Sequence, residues 1–246
     1  MTTSKEISVI IPAYNEEKRI GRSLMRISDY LAGNWEYEIL VVDDGSTDGT
    51  TTLVQKVASS CPSVHLIRNA HNRGKGHAVR RGMLSATKRL RLLCDADLST
   101  PIEELRILYP YIKEGYDIVI GSRALPDSRI EVRQSLPREI LGKAFNLGVR
   151  FLFDEKIRDT QCGFKLYTER GSALFRLQQI DGFAFDVETL VLARLLCIPL
   201  TEAGVRWRND PDSRVDMFHT PIQMTGELIR LRRNLSRGLY RHSAVK

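Results

Sequence analysis

Long apolar runs are missing from this chain. No stretch approaches the roughly 18 apolar residues of a membrane-spanning helix. The start, Met1 to Glu6, leads into a short apolar run that lacks the length of a secretory signal core. The protein is therefore expected to be made and kept in the cytosol, meeting any membrane from the side. Cysteine is scarce: Cys61, Cys94, Cys162 and Cys197 are the four present. None forms a Cys-x-x-Cys pair and no histidine stands at zinc-finger spacing, so reduced thiols are expected and a structural zinc is not. The basic residues of the final predicted helix lack interleaved aromatics, so nucleic acid is not expected as a partner. Repeats and low-complexity linkers are absent, and residues 1–246 read as one domain. Phosphate-binding glycine signatures are incomplete. Gly74-Lys75-Gly76 has neither P-loop spacing nor the third glycine of Gly-x-Gly-x-x-Gly.

What is present is an α/β pattern. A hydrophobic content of 42% is enough for a core, and a net charge of +7 suits anionic partners such as nucleotides or phospholipid headgroups. Short apolar runs at Ile7–Ile11, Glu38–Val42, Val64–Arg68 and Leu90–Cys94 read as strands. Helical periodicity between them covers Glu16–Leu31, Thr50–Ser59 and the stretch opened by Gly74-Lys75-Gly76. Such alternation predicts crossover units and a mostly parallel sheet, with ligands beyond the carboxyl ends of the strands. Further on, Asp127–Pro137 reads as a charged loop and Glu139–Phe153 as an amphipathic helix. Leu200–Trp207 reads as a strand and Pro221–Arg241 as a terminal helix.

Three segments at predicted strand ends carry chemistry. Asp95-Ala96-Asp97 follows Leu92-Leu93-Cys94, and two carboxylates one residue apart can share a hard divalent ion. The competing reading is a solvated turn. Asp43 and Asp44 end another strand, where a carboxylate can accept from ribose hydroxyls or serve as turn and cap chemistry beside Ser46, Thr47 and Asp48. Gly74-Lys75-Gly76 opens a helix whose N-terminus favours anions, or is a plain glycine turn.

Together these residues are recognisable. Val9-Ile10-Ile11-Pro12-Ala13-Tyr14-Asn15-Glu16-Glu17, Val41 to Thr50, Asn72 to Gly76 and Asp95-Ala96-Asp97 resemble, in order and spacing, the family 2 inverting glycosyltransferases. Gly121-Ser122-Arg123 and Asp159 to Lys165 look like the polyprenyl- and dolichyl-phosphate sugar synthase branch. Phe185-Asp186-Val187-Glu188 and Asp97-Leu98-Ser99-Thr100 are most similar to the dolichyl-phosphate β-glucosyltransferases. The resemblance implies a GT-A (Rossmann-like) fold with amphipathic helices in the C-terminal half. It also implies a nucleotide-sugar donor, with UDP-glucose favoured, a polyprenyl or dolichyl phosphate acceptor, and Mg²⁺ or Mn²⁺. Pro12, Tyr14, Glu16, Asp43, Asp44, Lys75 and Asp95 are then expected at the donor. Asp95 and Asp97 are expected at the metal, and Arg123, Arg133 and Arg214 at the acceptor phosphate. Asp159 is expected beside the reacting centre, with Asp97 and Arg123. Residues 6–125 would form the donor half, 126–220 the acceptor half and 221–246 a basic amphipathic helix.

Two departures stand out. Ser99 occupies a position where mannosyl relatives often carry Gln, which weighs against mannose and against a third protein ligand for the metal. Ser213-Arg214 stands where relatives often have Ser-Lys, keeping charge but changing geometry. The hydrophobic tail of many relatives is not seen, so a membrane surface is expected to be met through amphipathic helices, or a separate membrane protein supplies the anchor. Glu139–Phe153, flanked by Arg138, Lys143 and Arg150, suits a headgroup region or a core contact equally. The final helix sets Arg230, Arg233, Arg237 and Arg241 against Leu228, Leu231, Leu235 and Leu239, either for anionic lipid or as a solvated face. Two other readings stay open: a soluble enzyme of the same fold acting on a small molecule or polysaccharide, and a non-catalytic nucleotide-binding module.

Overall fold

The structure is a computed structural model and describes residues 5–153, 156–210 and 219–240. Ser213, Arg214 and Arg241, with the side chains of Arg138, Ile140 and Lys143, lie outside the described set.

The first half alternates as expected: β1 (Glu6–Ala13), α1 (Ile20–Leu31), β2 (Glu36–Asp43), α2 (Thr50–Ser60), β3 (Val64–Arg68), α3 (Lys75–Ser85) and β4 (Leu90–Cys94). After a 3₁₀ turn come α4 (Leu105–Lys113), β5 (Ile118–Ser122), β6 (Arg129–Val132), α5 (Leu136–Phe153) and β7 (Phe164–Thr168). The chain continues with the short α6 (Glu169–Ser172), α7 (Phe185–Leu195), β8 (Leu200–Gly204), β9 (Arg206–Arg208) and α8 (His219–Ser236). Seven strands form one sheet in the order β3-β2-β1-β4-β7-β5-β8. All its pairings are parallel except those of β7, which runs antiparallel between β4 and β5.

The central strands are apolar on both faces because both faces are covered. Ile7, Val9 and Ile11 join a core with α1, α2 and α4, while Ile10 joins the opposite core with α3, α5, α7 and α8. β1 runs on through Pro12, past the expected end at Ile11. Pairing with β4 covers Ile7–Ile10 alone, so Pro12, which has no N–H to donate, lies beyond it.

Several expected boundaries are corrected. Helix α1 starts at Ile20, not Glu16, because Glu16 to Arg19 form a turn. The single strand expected over Leu200–Trp207 is two strands in different sheets, β8 on β5 and β9 on β6. The loop expected over Asp127–Pro137 contains β6, whose four residues are all exposed and so give no burial pattern. The last helix is His219–Ser236, with turns to Tyr240. In α8, Leu228 and Leu231 are buried, while Arg230 and Arg233 are exposed, as is Arg237 in the turn that follows. In α5, Val149 and Phe153 reach the core, but Leu147 (67%) and Phe151 (88%) stand exposed, with Leu141 and Leu152 beside them. Among the described residues no helix is long and apolar enough to cross a membrane.

This topology collects chemistry at one edge. β1, β2 and β4 are parallel, so Ala13, Asp43 and Cys94 end together, and β5 delivers Arg123 after Ser122. β7 enters from the same edge, with Phe164 opposite Cys94, which brings in the preceding loop from Asp159 to Gly163.

Candidate active site

The loops after β1 and β2 are stitched to each other. Asn15, at φ +56°, donates its N–H to Ser46 Oγ at 2.9 Å and accepts from Thr47 N–H at 2.9 Å. Glu16 N–H donates to Thr50 Oγ1 at 2.7 Å, and Gly49 N–H to Glu17 Oε2 at 2.8 Å. Glu16 pairs with Arg19, which also meets Asp210 at 2.8 Å. Tyr14 is left exposed at the lip.

Asp43 and Asp44 are both buried and both engaged. Asp43 accepts from Ser46 N–H at 2.9 Å and from the Thr51 hydroxyl. Asp44 accepts from Asn69 Nδ2 at 2.6 Å, Arg73 N–H at 3.1 Å and Gly74 N–H at 2.8 Å. It thereby holds the loop that leads into Lys75. A carboxylate taking several N–H bonds fixes backbone as firmly as a cap does.

Asp95 and Asp97 sit on a tight turn after β4. Leu98 takes φ +51°, a costly conformation for a bulky residue, and Ser99 N–H donates to Asp97 Oδ1 at 2.8 Å. Ser23 Oγ of α1 donates to Ala96 O at 2.7 Å, and Arg208 N–H to Ser99 O at 2.8 Å, so the turn is braced from two sides. Burial, then the charge of Asp95, raises the Asp97 carboxyl above its ordinary value. Lys75 Nζ lies 2.7 Å from Asp95 Oδ1. Burial opposes its charge, but Asp95 and Asp186 outweigh that and hold the ammonium above its usual range. Gly163 faces Asp95 so closely that a Cβ there would stand 1.9 Å from Oδ2.

Across from this pair, Arg123 grips Asp159 with Nε at 2.6 Å, Nη2 at 2.7 Å and its own N–H at 2.9 Å. The guanidinium also lies over the Trp207 ring at 5.4 Å. Burial would raise the Asp159 carboxyl, but Arg123 outweighs it and holds it below the usual carboxylate range. Glu202 fixes the loop by accepting from Arg158 N–H at 2.7 Å and Asp159 N–H at 2.9 Å. Gln161 Nε2 is buried with no hydrogen-bond partner among the described residues, a donor that a ligand would satisfy. Arg133 is exposed beyond β6.

The sequence reading missed one pair. Lys165 on β7 and Asp186 on α7 are fully buried and joined, with Lys165 Nζ also donating to Thr160 O at 3.1 Å. Burial raises Asp186 despite Lys165 and Lys75. A lysine flanked by Phe164 and Leu166 in a strand is a signal of such pairing. Its partner, 21 residues on, is not readable locally.

Two acids on a braced turn supply hard oxygen donors, which fit a divalent cation. Burial and like charge at Asp97 are the strain such a cation relieves. Among the described residues no group of three His, Cys, Asp or Glu side chains converges.

Comparison with known proteins matches residues 8–172 to glycosyl transferase family 2. The chain is 37% identical to a dolichyl-phosphate beta-glucosyltransferase of Dictyostelium discoideum, over 96% of this chain and 76% of that protein. It is 39% identical to the enzyme of that name in Drosophila melanogaster, over 92% and 74%. For the Homo sapiens enzyme of that name the identity is 35%, over 97% and 78%. In fold it is similar to glucosyl-3-phosphoglycerate synthase of Mycobacterium tuberculosis, solved with Mn²⁺, uridine diphosphate and glucosyl-3-phosphoglycerate. That likeness has a TM-score of 0.68 and 18% identity, over 92% of this chain and 80% of that one. The fold is GT-A, with a mostly parallel sheet flanked by helices.

Proposed function

The chain belongs to glycosyl transferase family 2, and from that membership we propose that it transfers glucose from UDP-glucose to a polyprenyl or dolichyl phosphate at a membrane surface, with inversion. The observation that carries the lipid acceptor is the seat of α5. Asn146 accepts from Thr160 Oγ1 at 2.6 Å, which ties this helix, with Leu147 and Phe151 exposed, to the loop bearing Asp159. Apolar surface therefore adjoins a charged site, the arrangement a lipid phosphate requires. The exposed arginines of α8 suit anionic headgroups. Residues 6–125 take the donor and 126–220 the acceptor. The cytosolic membrane face, and an anchoring partner protein, belong to the same proposal.

In this mechanism Pro12, Tyr14 and Glu16 line the nucleoside. Asp43 and Asp44 stand at the same donor site, Asp44 toward the nucleoside, and Asp44 also holds the loop that presents Lys75 to the diphosphate. Asp95 and Asp97 would hold Mg²⁺ or Mn²⁺, which neutralises charge on the departing diphosphate. Arg123 and Arg133, with Arg214 outside the described residues, attract the acceptor phosphate. That nucleophile is already anionic near neutral pH, its second pKa being about 6, so Asp159 is not needed as a base. Asp159, held ionised by Arg123, orients the guanidinium instead. Attack opposite the leaving group inverts the anomeric carbon.

Two outcomes test the surroundings of this site. Gly163→Ala should displace the Asp95 carboxylate and weaken apparent Mn²⁺ affinity about 10-fold or more with little loss of thermal stability; unchanged affinity in a metal titration would contradict the packing argument. Phe151→Asp should lower binding to anionic liposomes about tenfold in a flotation assay and leave nucleotide binding alone. The acceptor itself is tested by offering a short polyprenyl phosphate and a water-soluble phosphate monoester in parallel. Transfer to the first alone supports the reading, and transfer to the second alone removes the lipid.

A further inference from the structure

Lys75 is clamped at its backbone but not at its tip. Gly74 takes φ +108°, and a Cβ there would stand 2.5 Å from Asp181 O; at Gly76 one would stand 2.6 Å from Ile180 O. Gly74 N–H is held by Asp44 at 2.8 Å, His77 N–H by Asp181 O at 3.0 Å, and Gly76 O accepts from Gln178 at 2.9 Å. The main chain on both sides of Lys75 is closely packed and hydrogen-bonded, so movement is left chiefly to its four-carbon stem. Its ammonium and Asp95 form a pair that solvent still reaches, with 22% and 34% of the two side chains exposed.

We propose that Lys75 is the resident counter-ion of Asp95 in the unloaded enzyme, and that its transfer from Asp95 to a diphosphate oxygen makes divalent-cation binding conditional on the nucleoside diphosphate. This rests on the reading of Asp95 and Asp97 as the cation-holding pair. With Lys75 in place the two carboxylates offer an arriving cation a net charge near −1, beside a positive ammonium. A cation arriving alone must break the ion pair and strand that ammonium. Asp186, the other acid that acts most strongly on this ammonium, already has Lys165. A cation arriving with a diphosphate brings the ammonium a second anion, so the exchange leaves no charge unpaired. By linkage the effect is reciprocal: the cation must tighten diphosphate binding by the same factor.

The test is Mn²⁺ titration of the full chain, with free Mn²⁺ read by electron paramagnetic resonance, with and without UDP. UDP should tighten Mn²⁺ binding to the wild type about tenfold or more. Lys75→Met should bind Mn²⁺ alone about tenfold tighter than the wild type and respond little to UDP. Lys75→Arg, which keeps the charge, should match the wild type without UDP. Lys75→Gln carries the same expectation as Lys75→Met should the apolar variant not fold. Mn²⁺ alone should also raise the unfolding midpoint of Lys75→Met or Lys75→Gln more than that of the wild type. If the wild type shows the coupling but neither neutral variant binds Mn²⁺ alone more tightly, the role of Lys75 is overturned and the donor site stands. If the wild type binds no Mn²⁺ with or without UDP, the donor-site reading fails and this proposal fails with it.

Discussion

Asp97→Ala is expected to cut the rate of sugar transfer about a thousand-fold, the scale of losing a group that stabilises developing charge on a leaving diphosphate. The informative companion is Asp97→Asn. It keeps the shape of the side chain and the acceptor for Ser99 N–H, which lies at 2.8 Å, and removes only the charge. That charge is disfavoured by its surroundings, first by burial and then by Asp95. Asp97→Asn should therefore be as inactive as Asp97→Ala, yet unfold at no lower temperature than the wild type without added metal. Loss of activity together with loss of stability in the Asn variant would mean that Asp97 holds the turn instead of serving the donor. Initial rates and thermal unfolding on the same preparations separate the two.

The second large effect is on Arg123. Arg123→Ala leaves Asp159, which is almost fully buried, without the two guanidinium bonds and the charge that faces it, keeping only the backbone N–H of position 123. Removing one partner of such a pair costs about 3–5 kcal/mol. Removing both in Arg123→Ala/Asp159→Ala should recover part of that stability without recovering transfer, because the acceptor phosphate has still lost its cation. At partial activity the apparent KM for lipid phosphate should rise more than that for the nucleotide-sugar. The reverse pattern would assign Arg123 to the donor. The pair also sets a pH dependence. The Asp159 carboxyl is lowered in the folded protein, so its stabilisation is complete above the ordinary carboxylate pKa and is lost as pH falls through the folded value. In the double variant, acid unfolding should lose this component, measured by denaturant titrations across the acid range.

The donor half was legible because β1 and β4 are buried on both faces and β3, at the sheet edge, is still bounded by turn residues. Ile7–Ile11 and Leu90–Cys94 are near-continuous apolar runs and Val64–Arg68 a shorter apolar stretch, each followed at once by turn chemistry, and the last two named match the observed strands residue for residue. The second half was less legible for physical reasons. The position of β7 between β4 and β5 is a long-range pairing with no local mark. The break at Val205 depends on contacts made elsewhere, since Val205 N–H bonds to Ser122 O and Val205 O accepts from Arg129 N–H. Arg129 to Val132 alternate charged and apolar residues but are exposed throughout, so β6 looked like a loop. Site residues could be named singly, but not their pairings. Lys75 with Asp95, Arg123 with Asp159 and Lys165 with Asp186 are joined across 20, 36 and 21 positions. Asp43 and Asp44 show the same limit. Both read as ribose acceptors or turn formers, and the loop contacts that each carboxylate makes, to Ser46 and Thr51 or to Asn69, Arg73 and Gly74, appear only in the folded chain.

The most direct measurement is transfer of radiolabelled sugar to a short polyprenyl phosphate across a panel of UDP- and GDP-sugars, with Mg²⁺ or Mn²⁺. The account predicts labelled lipid from UDP-glucose, abolished by EDTA and by Asp97→Ala. Donor binding or hydrolysis with no labelled lipid from any donor would contradict it, and would leave a family 2 donor site in search of a different acceptor.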